Sequence, residues 1–371
     1  MRIVLATGGS GGHIFPALKV AQRLQALGHE TIFVGALGQA LPKIQQQKFC
    51  CFNLNSKGVS LSSVSGFVRS SFCMAKALVE SFHVLRMVRP DAVCGFGGYG
   101  AFPVVCAALI LGRPSMIHEQ NVIPGRANRI LFPWVGKVAV TFEESRKYFH
   151  SPKTIRTGCP AQAREVREKK RHLRAELGLQ GDKETLLVLG GSQGSHRINL
   201  EFLKAIPFLK EDRDFQVIHI SGRNDYAALK DQYAECGIGC RVFDFLEDMG
   251  KAYQAADMVV SRAGALTVLE IAAFRLPAVL IPYPFAGGHQ KENAELLCGA
   301  GLAKMVEEKD LSAQGLAEAV RNLLSGPPPD PKEIEQRLKS ILIPGADQRL
   351  AQEIVALGKT ANISLAKGPS A

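Results

Sequence analysis

Four groups of polar residues in this chain follow apolar runs, three of them at glycine turns. Each could handle a phosphorylated sugar. Residues 261–270 (Ser-Arg-Ala-Gly-Ala-Leu-Thr-Val-Leu-Glu) follow the apolar Met258, Val259 and Val260 and open a helical pattern through Phe274. Strand, glycine turn and helix in that order bring free backbone N–H groups and the positive end of a helix to one point, a seat for phosphate. Glu270 falls about one helical turn further on. A carboxylate there would repel phosphate but could accept hydrogen bonds from the two adjacent hydroxyls of a ribose, so the pair describes a nucleotide site. The plainer alternative is a βα turn carrying a surface glutamate.

His13 closes the loop Thr7-Gly8-Gly9-Ser10-Gly11-Gly12. Imidazole titrates near working pH without large tuning, which suits a general base, although a histidine after such a loop can also act only as a cap. Glu119 competes for the same role. It leads Gln120 and Asn121 at the end of the apolar run 114–118, and ligands of open α/β sheets sit at that end of parallel strands. Gln290 and Asn293, three apart at a helix start, share one face. They suit sugar hydroxyls or, more simply, capping.

The elements that must carry these residues read as two restarts of one pattern. An apolar strand at 2–6 runs into the first glycine loop. Pro16 then starts a helix at its favoured first-turn position, Gly28 ends it and a second strand covers 31–34. Residues 60–89 read as a long helix or as a loop and a helix. Strands at 91–96, 114–118 and 138–140 complete the half, with a second glycine loop at 95–100 and a helix at 104–111. Gly158-Cys159-Pro160 marks a break, and the charged run 164–176 reads as a surface helix. From Thr185 the pattern repeats: strand 186–189, glycine loop 190–194, helix, then strands at 217–220, 242–245 and 258–260. Two doubly wound α/β domains follow, divided as 1–160 and 161–346. The first loop, Gly8-Gly9-Ser10-Gly11-Gly12, is not G-x-G-x-x-G, and no acidic residue closes the second strand, which disfavours a dinucleotide-dependent dehydrogenase.

The chain has 371 residues, 46% of them hydrophobic, and a net charge of +11. Residues 1–157 hold 18 Lys and Arg against 6 Asp and Glu, so the excess is confined to the first half. Nucleic acid, an anionic membrane surface or a polyanionic substrate could each match it. No zinc-finger, RRM or basic-helix pattern accompanies the charge, so nucleic acid ranks last. The stretch 60–89 mixes Val64, Phe67, Val68, Phe72 and Leu78 with Arg69, Lys76, Arg86 and Arg89. It reads either as a core-facing helix with a solvated basic side or as a patch resting on a membrane. Nine scattered cysteines without zinc spacing suggest reduced thiols. We expect no signal peptide, and the longest apolar runs are too short to span a bilayer. Asp212-Arg213-Asp214 has the spacing of a metal-binding Asp-x-Asp but sits in a charged turn, so no essential metal is expected.

Taken together, 8–16 (GGSGGHIFP), Gly97-Gly98-Tyr99, His118-Glu119-Gln120-Asn121, 190–194 (GGSQG) and 262–270 (RAGALTVLE) resemble the MurG family in content and order, over roughly residues 2–357. The resemblance implies a GT-B fold with two Rossmann-like domains and an interdomain cleft. It also implies transfer of N-acetylglucosamine from UDP-N-acetylglucosamine, with inversion, to the muramyl 4-hydroxyl of lipid I (undecaprenyl-diphosphate-N-acetylmuramyl-pentapeptide), giving lipid II for peptidoglycan. The nucleotide sugar is a substrate, and no cofactor is implied. The enzyme would be peripheral, on the cytoplasmic face of the bacterial inner membrane. The C-terminal domain would bind the donor and the N-terminal domain the acceptor, with 347–357 crossing back to the first domain and 359–371 a frayed tail.

Carried over by position, Ser192 and the amides of 263–266 would hold the diphosphate, Glu270 the ribose and Leu246 the uracil. Ala265, Leu266, Thr267, Val268 and Leu269 would complete the donor loop. Gln290, Asn293 and Asn121 would read the sugar. Ser10, Gly11 and Gly12 would serve the donor sugar and the acceptor diphosphate, with Gly9, Gly98 and Tyr99 on the acceptor side. His13 or Glu119 would be the base. The family's usual Gly-Asn-Pro-Val-Arg is here Gly158-Cys159-Pro160-Ala161-Gln162, which leaves Arg164 as a substitute for the missing arginine. Ser10 stands where many members have threonine and keeps the hydroxyl. The alternatives are a GT-B transferase with another lipid acceptor such as diacylglycerol, a nucleotide-sugar epimerase, and a non-catalytic nucleotide-sugar-binding partner.

Overall fold

A run of apolar residues without alternation suits a parallel strand covered on both faces, and Arg2–Gly8 (β1) is buried from its second residue onward. It lies at the centre of the first sheet in a computed structural model that describes residues 1–8, 11–54, 56, 64–161, 169–285, 287–326 and 330–366. After β1 come α1 (Gly11–Ala26), β2 (Glu30–Ala36), α2 (Leu41–Gln46), β3 (Cys50–Asn53), α3 (Val64–Val88), β4 (Ala92–Gly95), α4 (Gly98–Ile110), β5 (Ser115–Glu119), α5 (Arg126–Leu131), β6 (Lys137–Val140) and β7 (Thr154–Arg156). The strands order as β3-β2-β1-β4-β5-β6-β7, and the described pairings are parallel. The order reverses direction between β1 and β4. Open α/β sheets bind ligands at such a reversal, at the carboxyl end of the strands.

The second sheet is built from α6 (Lys170–Glu176), β8 (Glu184–Leu189), α7 (His196–Lys210), β9 (Phe215–Ile220), α8 (Tyr226–Glu235), β10 (Gly239–Phe243), α9 (Met249–Ala255), β11 (Met258–Ser261), α10 (Ala265–Phe274), β12 (Ala278–Leu280), α11 (His289–Gly299), β13 (Ala303–Met305), α12 (Ala313–Ser325) and α13 (Pro331–Ile341). Its order is β10-β9-β8-β11-β12-β13, parallel throughout the described pairs, with the reversal between β8 and β11.

The last helix, α14 (Ala346–Ala366), belongs with the first sheet. The compact units are Met1–Pro160 with Ile343–Ala371, and Ala161–Leu342. Leu350, Ala351 and Ile354 are buried with Leu18, Ala21 and Leu24 of α1 in one core. Each large side chain so buried is worth about 1.5–3 kcal/mol. Lys137 and Glu353 add an ion pair at 2.6 Å.

Three boundaries differ from the sequence reading. Helix α1 opens at Gly11 and takes Pro16 inside it rather than at its first turn. Helix α4 likewise opens at Gly98, well before residue 104. Glycines score poorly in a helix by propensity, but here they lead directly out of parallel strands. The frayed tail read at 359–371 is helical as far as Ala366.

Candidate active site

In the first unit, the switch point between β1 and β4 collects the polar residues. His13 is the third residue of α1 and half-buried. Its ring lies against the turn after β4. Gly97 and Gly98 have φ of +83° and +75°, and a Cβ on them would stand 3.3 Å from His13 Cε1 and 3.2 Å from His13 Cδ2. Only glycine both takes that backbone shape and lets the ring so close. Nδ1 of His13 is 3.1 Å from Oε1 of Gln120. Burial pulls the His13 pKa below its usual 6.5, and the negative charge of Glu119 partly restores it. The ring is therefore neutral at neutral pH, as a proton acceptor must be.

Glu119 is placed differently from the sequence reading. It is 1% exposed. Oε1 accepts from the backbone N–H of Asn121 at 2.9 Å and from its side chain at 3.2 Å. Oε2 accepts from Gly125 N at 3.0 Å and Asn128 Nδ2 at 2.8 Å. A carboxylate saturated by donors and closed to solvent is an anchor for the loop 121–128 and a fixed negative charge near His13, not a base facing substrate. Asn121 is half-buried with its amide on that same carboxylate. Asn128 was missed in the sequence, where nothing marks it among ordinary helix residues. Gly11 and Gly12 form the first turn of α1, and Tyr99 is 38% exposed in the first turn of α4 beside Gly98. Gly9, Ser10, Gln162 and Arg164 lie outside the described residues.

In the second unit the switch point lies between β8 and β11. The loop 190–194 packs against the turn after β9, where a Cβ on Gly194 would meet Ser221 O at 2.2 Å. Ser192 at the loop's tip is exposed. Across the switch point, α10 starts at Ala265 behind the extended Gly264. The first-turn N–H groups of a helix lack intrahelical partners, which makes Ala265, Leu266 and Thr267 the candidate anion seat. Ala263 drops out of the seat, because its N–H donates to Gln290 Oε1 at 3.2 Å. Val268 and Leu269 drop out as well. Both side chains are buried, and the Val268 N–H donates to Gly264 O. Glu270 is 7% exposed. Tyr253 of α9, unremarked in the sequence, stands beside it. Burial and the Glu270 carboxylate together push the Tyr253 phenol well above its usual pKa.

Gln290 and Asn293 do share a face of α11, but that face meets backbone. Gln290 Oε1 also accepts from Tyr283 N at 2.9 Å. Asn293 is fully buried and donates to Ala263 O at 3.2 Å. Asn293 thus shapes the loop 261–264 rather than reading a sugar, while Gln290 keeps its Nε2 as the atom it can offer. Leu246 is half-buried in the loop after β10. Asp212 and Asp214 form ion pairs with Arg321 and Lys183.

Comparison with known proteins shows the family. The chain matches the Glycosyltransferase family 28 N-terminal domain over residues 3–140 and the family 28 C-terminal domain over residues 185–342. The UDP-N-acetylglucosamine--N-acetylmuramyl-(pentapeptide) pyrophosphoryl-undecaprenol N-acetylglucosamine transferase of Syntrophus aciditrophicus (strain SB) is 39% identical over 88% of this chain and 91% of its own length. The enzyme of that name from Geobacter sulfurreducens is 37% identical over 96% of this chain and 98% of its own length. The crystal structure of Acinetobacter baumannii MurG superposes with a TM-score of 0.70 at 26% identity, covering 96% of this chain and 99% of that one. The calicheamicin glycosyltransferase CalG4, at 17% identity and a TM-score of 0.69, shares the fold. Two parallel-sheet α/β units of GT-B type, each with its polar residues at the switch point, and relatedness over nearly the whole length lead to one assignment: the chain belongs to the MurG family of family 28 glycosyltransferases.

Proposed function

We propose that this protein transfers N-acetylglucosamine from UDP-N-acetylglucosamine to the 4-hydroxyl of the N-acetylmuramyl residue of the undecaprenyl-diphosphate-linked pentapeptide, converting lipid I to lipid II. The observation that carries the chemistry is His13, held at the turn after β4 with its Nδ1 3.1 Å from Gln120 Oε1 and its pKa lowered by burial. The acceptor hydroxyl loses its proton to His13 as its oxygen attacks the anomeric carbon. One displacement inverts an α-linked donor to a β-linked product. The bond to UDP breaks, and its growing negative charge falls on the N–H groups and positive helix end at Ala265–Thr267. Glu270 holds the ribose, Ser192 supports the diphosphate, Leu246 meets the uracil and the Nε2 of Gln290 reads the sugar. Gly11, Gly12, Gly98 and Tyr99 receive the acceptor. The nucleotide sugar is a substrate, and the reaction as written needs no cofactor.

The acceptor is lipid-borne, and one surface of the first unit suits a membrane. Among the described residues no helix is long and apolar enough to cross one. Yet α3 turns Val68, Phe72, Val79 and Met87 outward, each more than half exposed, with Arg69, Lys76 and Arg86 exposed on the same helix. Ile110, Ile130 and Trp134 are also more than half exposed on and after α4 and α5, which pack in series beside α3. Apolar side chains interleaved with cations suit an anionic bilayer surface. We place the enzyme peripherally on the cytoplasmic face of the bacterial inner membrane.

Radiolabel transfer from UDP-N-acetylglucosamine to a lipid I analogue, with EDTA present, tests the reading. A labelled disaccharide lipid supports donor, acceptor and metal independence together. Donor binding without transfer would reject the acceptor assignment, and recovery only on adding magnesium would reject metal independence.

A further inference from the structure

A histidine can accept a proton only from a ring nitrogen that carries none, and neutral imidazole has one of each kind. We infer that Gln120 is a positioning residue for His13: its side-chain amide, oriented by the backbone oxygen of Phe96 and by His118, keeps the His13 proton on Nδ1 and leaves Nε2 as the basic atom. This rests on the reading of His13 as the base.

The chain of hydrogen bonds has one consistent direction, because both of its ends are backbone carbonyls and a carbonyl can only accept. His118 Nε2 lies 2.9 Å from Gly158 O, so that nitrogen carries a proton and donates. Burial pulls the His118 pKa down to about 4, so the ring is neutral and its Nδ1 is an acceptor. Gln120 Nε2 lies 2.9 Å from Phe96 O and 3.0 Å from His118 Nδ1. Its two N–H groups satisfy both. Reversing the amide would set its oxygen against a carbonyl and a lone pair, and turn an N–H toward His13. With the amide so fixed, Oε1 faces His13 Nδ1 at 3.1 Å and can only accept. His13 must therefore donate from Nδ1.

Water cannot replace these partners, since His118 is fully buried and Gln120 is 3% exposed. The arrangement also opposes the ring's own preference, because a histidine side chain in water favours the proton on Nε2. An amide orients the ring without adding charge. That differs from a carboxylate partner, which orients and also raises the imidazole pKa. Here the charge comes separately from Glu119, which the hydrogen-bond chain does not include.

The test uses the full-length enzyme with isotope-labelled histidine, comparing the wild type with Gln120→Leu and Gln120→Glu by NMR of the ring nitrogens at neutral pH. Wild-type His13 is expected to show a protonated Nδ1 and a bare Nε2. Gln120→Leu removes the side-chain acceptor and leaves only the Phe96 backbone bond to the ring, so the hold on the Nδ1 proton weakens and the proton moves toward Nε2. Its kcat falls by at least about tenfold with donor KM unchanged, the direction seen when a histidine loses its orienting partner. Gln120→Glu restores an acceptor. It keeps the proton on Nδ1, recovers activity relative to Gln120→Leu and moves the acid limb of the kcat profile to higher pH. The titratable groups facing His13 in that profile are Glu119 and His118.

A wild-type His13 protonated on Nε2 overturns the proposal. So does a folded Gln120→Leu enzyme with unchanged tautomer or unchanged kcat. If Gln120→Leu does not fold, a folded Gln120→Glu enzyme with an unmoved acid limb overturns it equally. A wild type that shows the Nδ1 proton but transfers nothing to the lipid acceptor rejects the proposed function and leaves the role of Gln120 standing.

Discussion

The side-chain amide of Asn128 donates to Oε2 of Glu119 at 2.8 Å, and both residues are almost wholly buried. Together with the two Asn121 donors and Gly125 N–H, this makes Glu119 the hub of the loop that follows β5. Glu119→Gln keeps the shape but turns an NH2 toward donors. We expect a loss of stability of about 1–3 kcal/mol, the cost of stranding buried hydrogen-bonding groups, read as a lower melting temperature. An unchanged melting temperature with abolished turnover would reinstate Glu119 as the base.

His13→Gln removes the proton acceptor while keeping a polar side chain. We expect kcat to fall about 10²–10⁴-fold, the usual worth of a positioned general base, with UDP binding unchanged by calorimetry. Because burial lowers the pKa of His13, the acid limb of the wild-type kcat profile should lie below pH 6.5. A limb above that value would point to another group.

Glu270→Gln should weaken binding of UDP by about 1–3 kcal/mol, since hydrogen bonds to a buried charged acceptor are among the stronger ones. The 2′-deoxy analogue of UDP separates this from general damage: it should lose affinity for the wild type and little for the variant. Equal losses in both would mean that Glu270 does not touch the ribose.

Two histidines make the fold sensitive to acid. His118 and His219 are both fully buried, and burial pulls their pKa values from 6.5 to about 4 and about 3. Both values lie below the unfolded one, so on acidification the unfolded chain takes up protons first. Stability is then unaffected above pH 6.5 and declines from there toward pH 4 for His118 and pH 3 for His219. Each unit of depression is worth about 1.4 kcal/mol. His219→Gln should flatten the pH dependence of the urea midpoint across that window; an unchanged slope would contradict it.

Phe72→Asp and Trp134→Asp change exposed side chains, so the fold should tolerate them. We expect reduced co-sedimentation with anionic vesicles and unchanged transfer to a short-chain, water-soluble acceptor. Full vesicle binding by the double variant would remove this face from the membrane interface.

Much of the architecture was legible because it depends on local rules. Apolar runs ending in glycine give parallel strands and the turns after them, so the doubly wound units, the loop 190–194 and the α10 terminus could be read directly. Helix starts were less legible. Pro16 signals a first turn by its chemistry, but the chain is already helical at Gly11.

The sequence by itself determined the alphabet of the site: an imidazole after a glycine loop, a carboxylate one turn into a helix, and an excess of cations in the first half. Tertiary structure decided which atoms each can offer, because hydrogen-bond partners distant in sequence compete for the same atoms. Glu119 competed with His13 as a base by residue type alone; the fold saturates Glu119 with donors and leaves His13 half-buried against Gly97 and Gly98. Gln290 and Asn293 looked alike as sugar readers until the fold buried Asn293 with its amide on Ala263 and took only the oxygen of Gln290. Which nitrogen of His13 is basic depends on Phe96, Gln120, His118 and Gly158, brought together from three strand ends, and no pattern along the chain encodes that meeting.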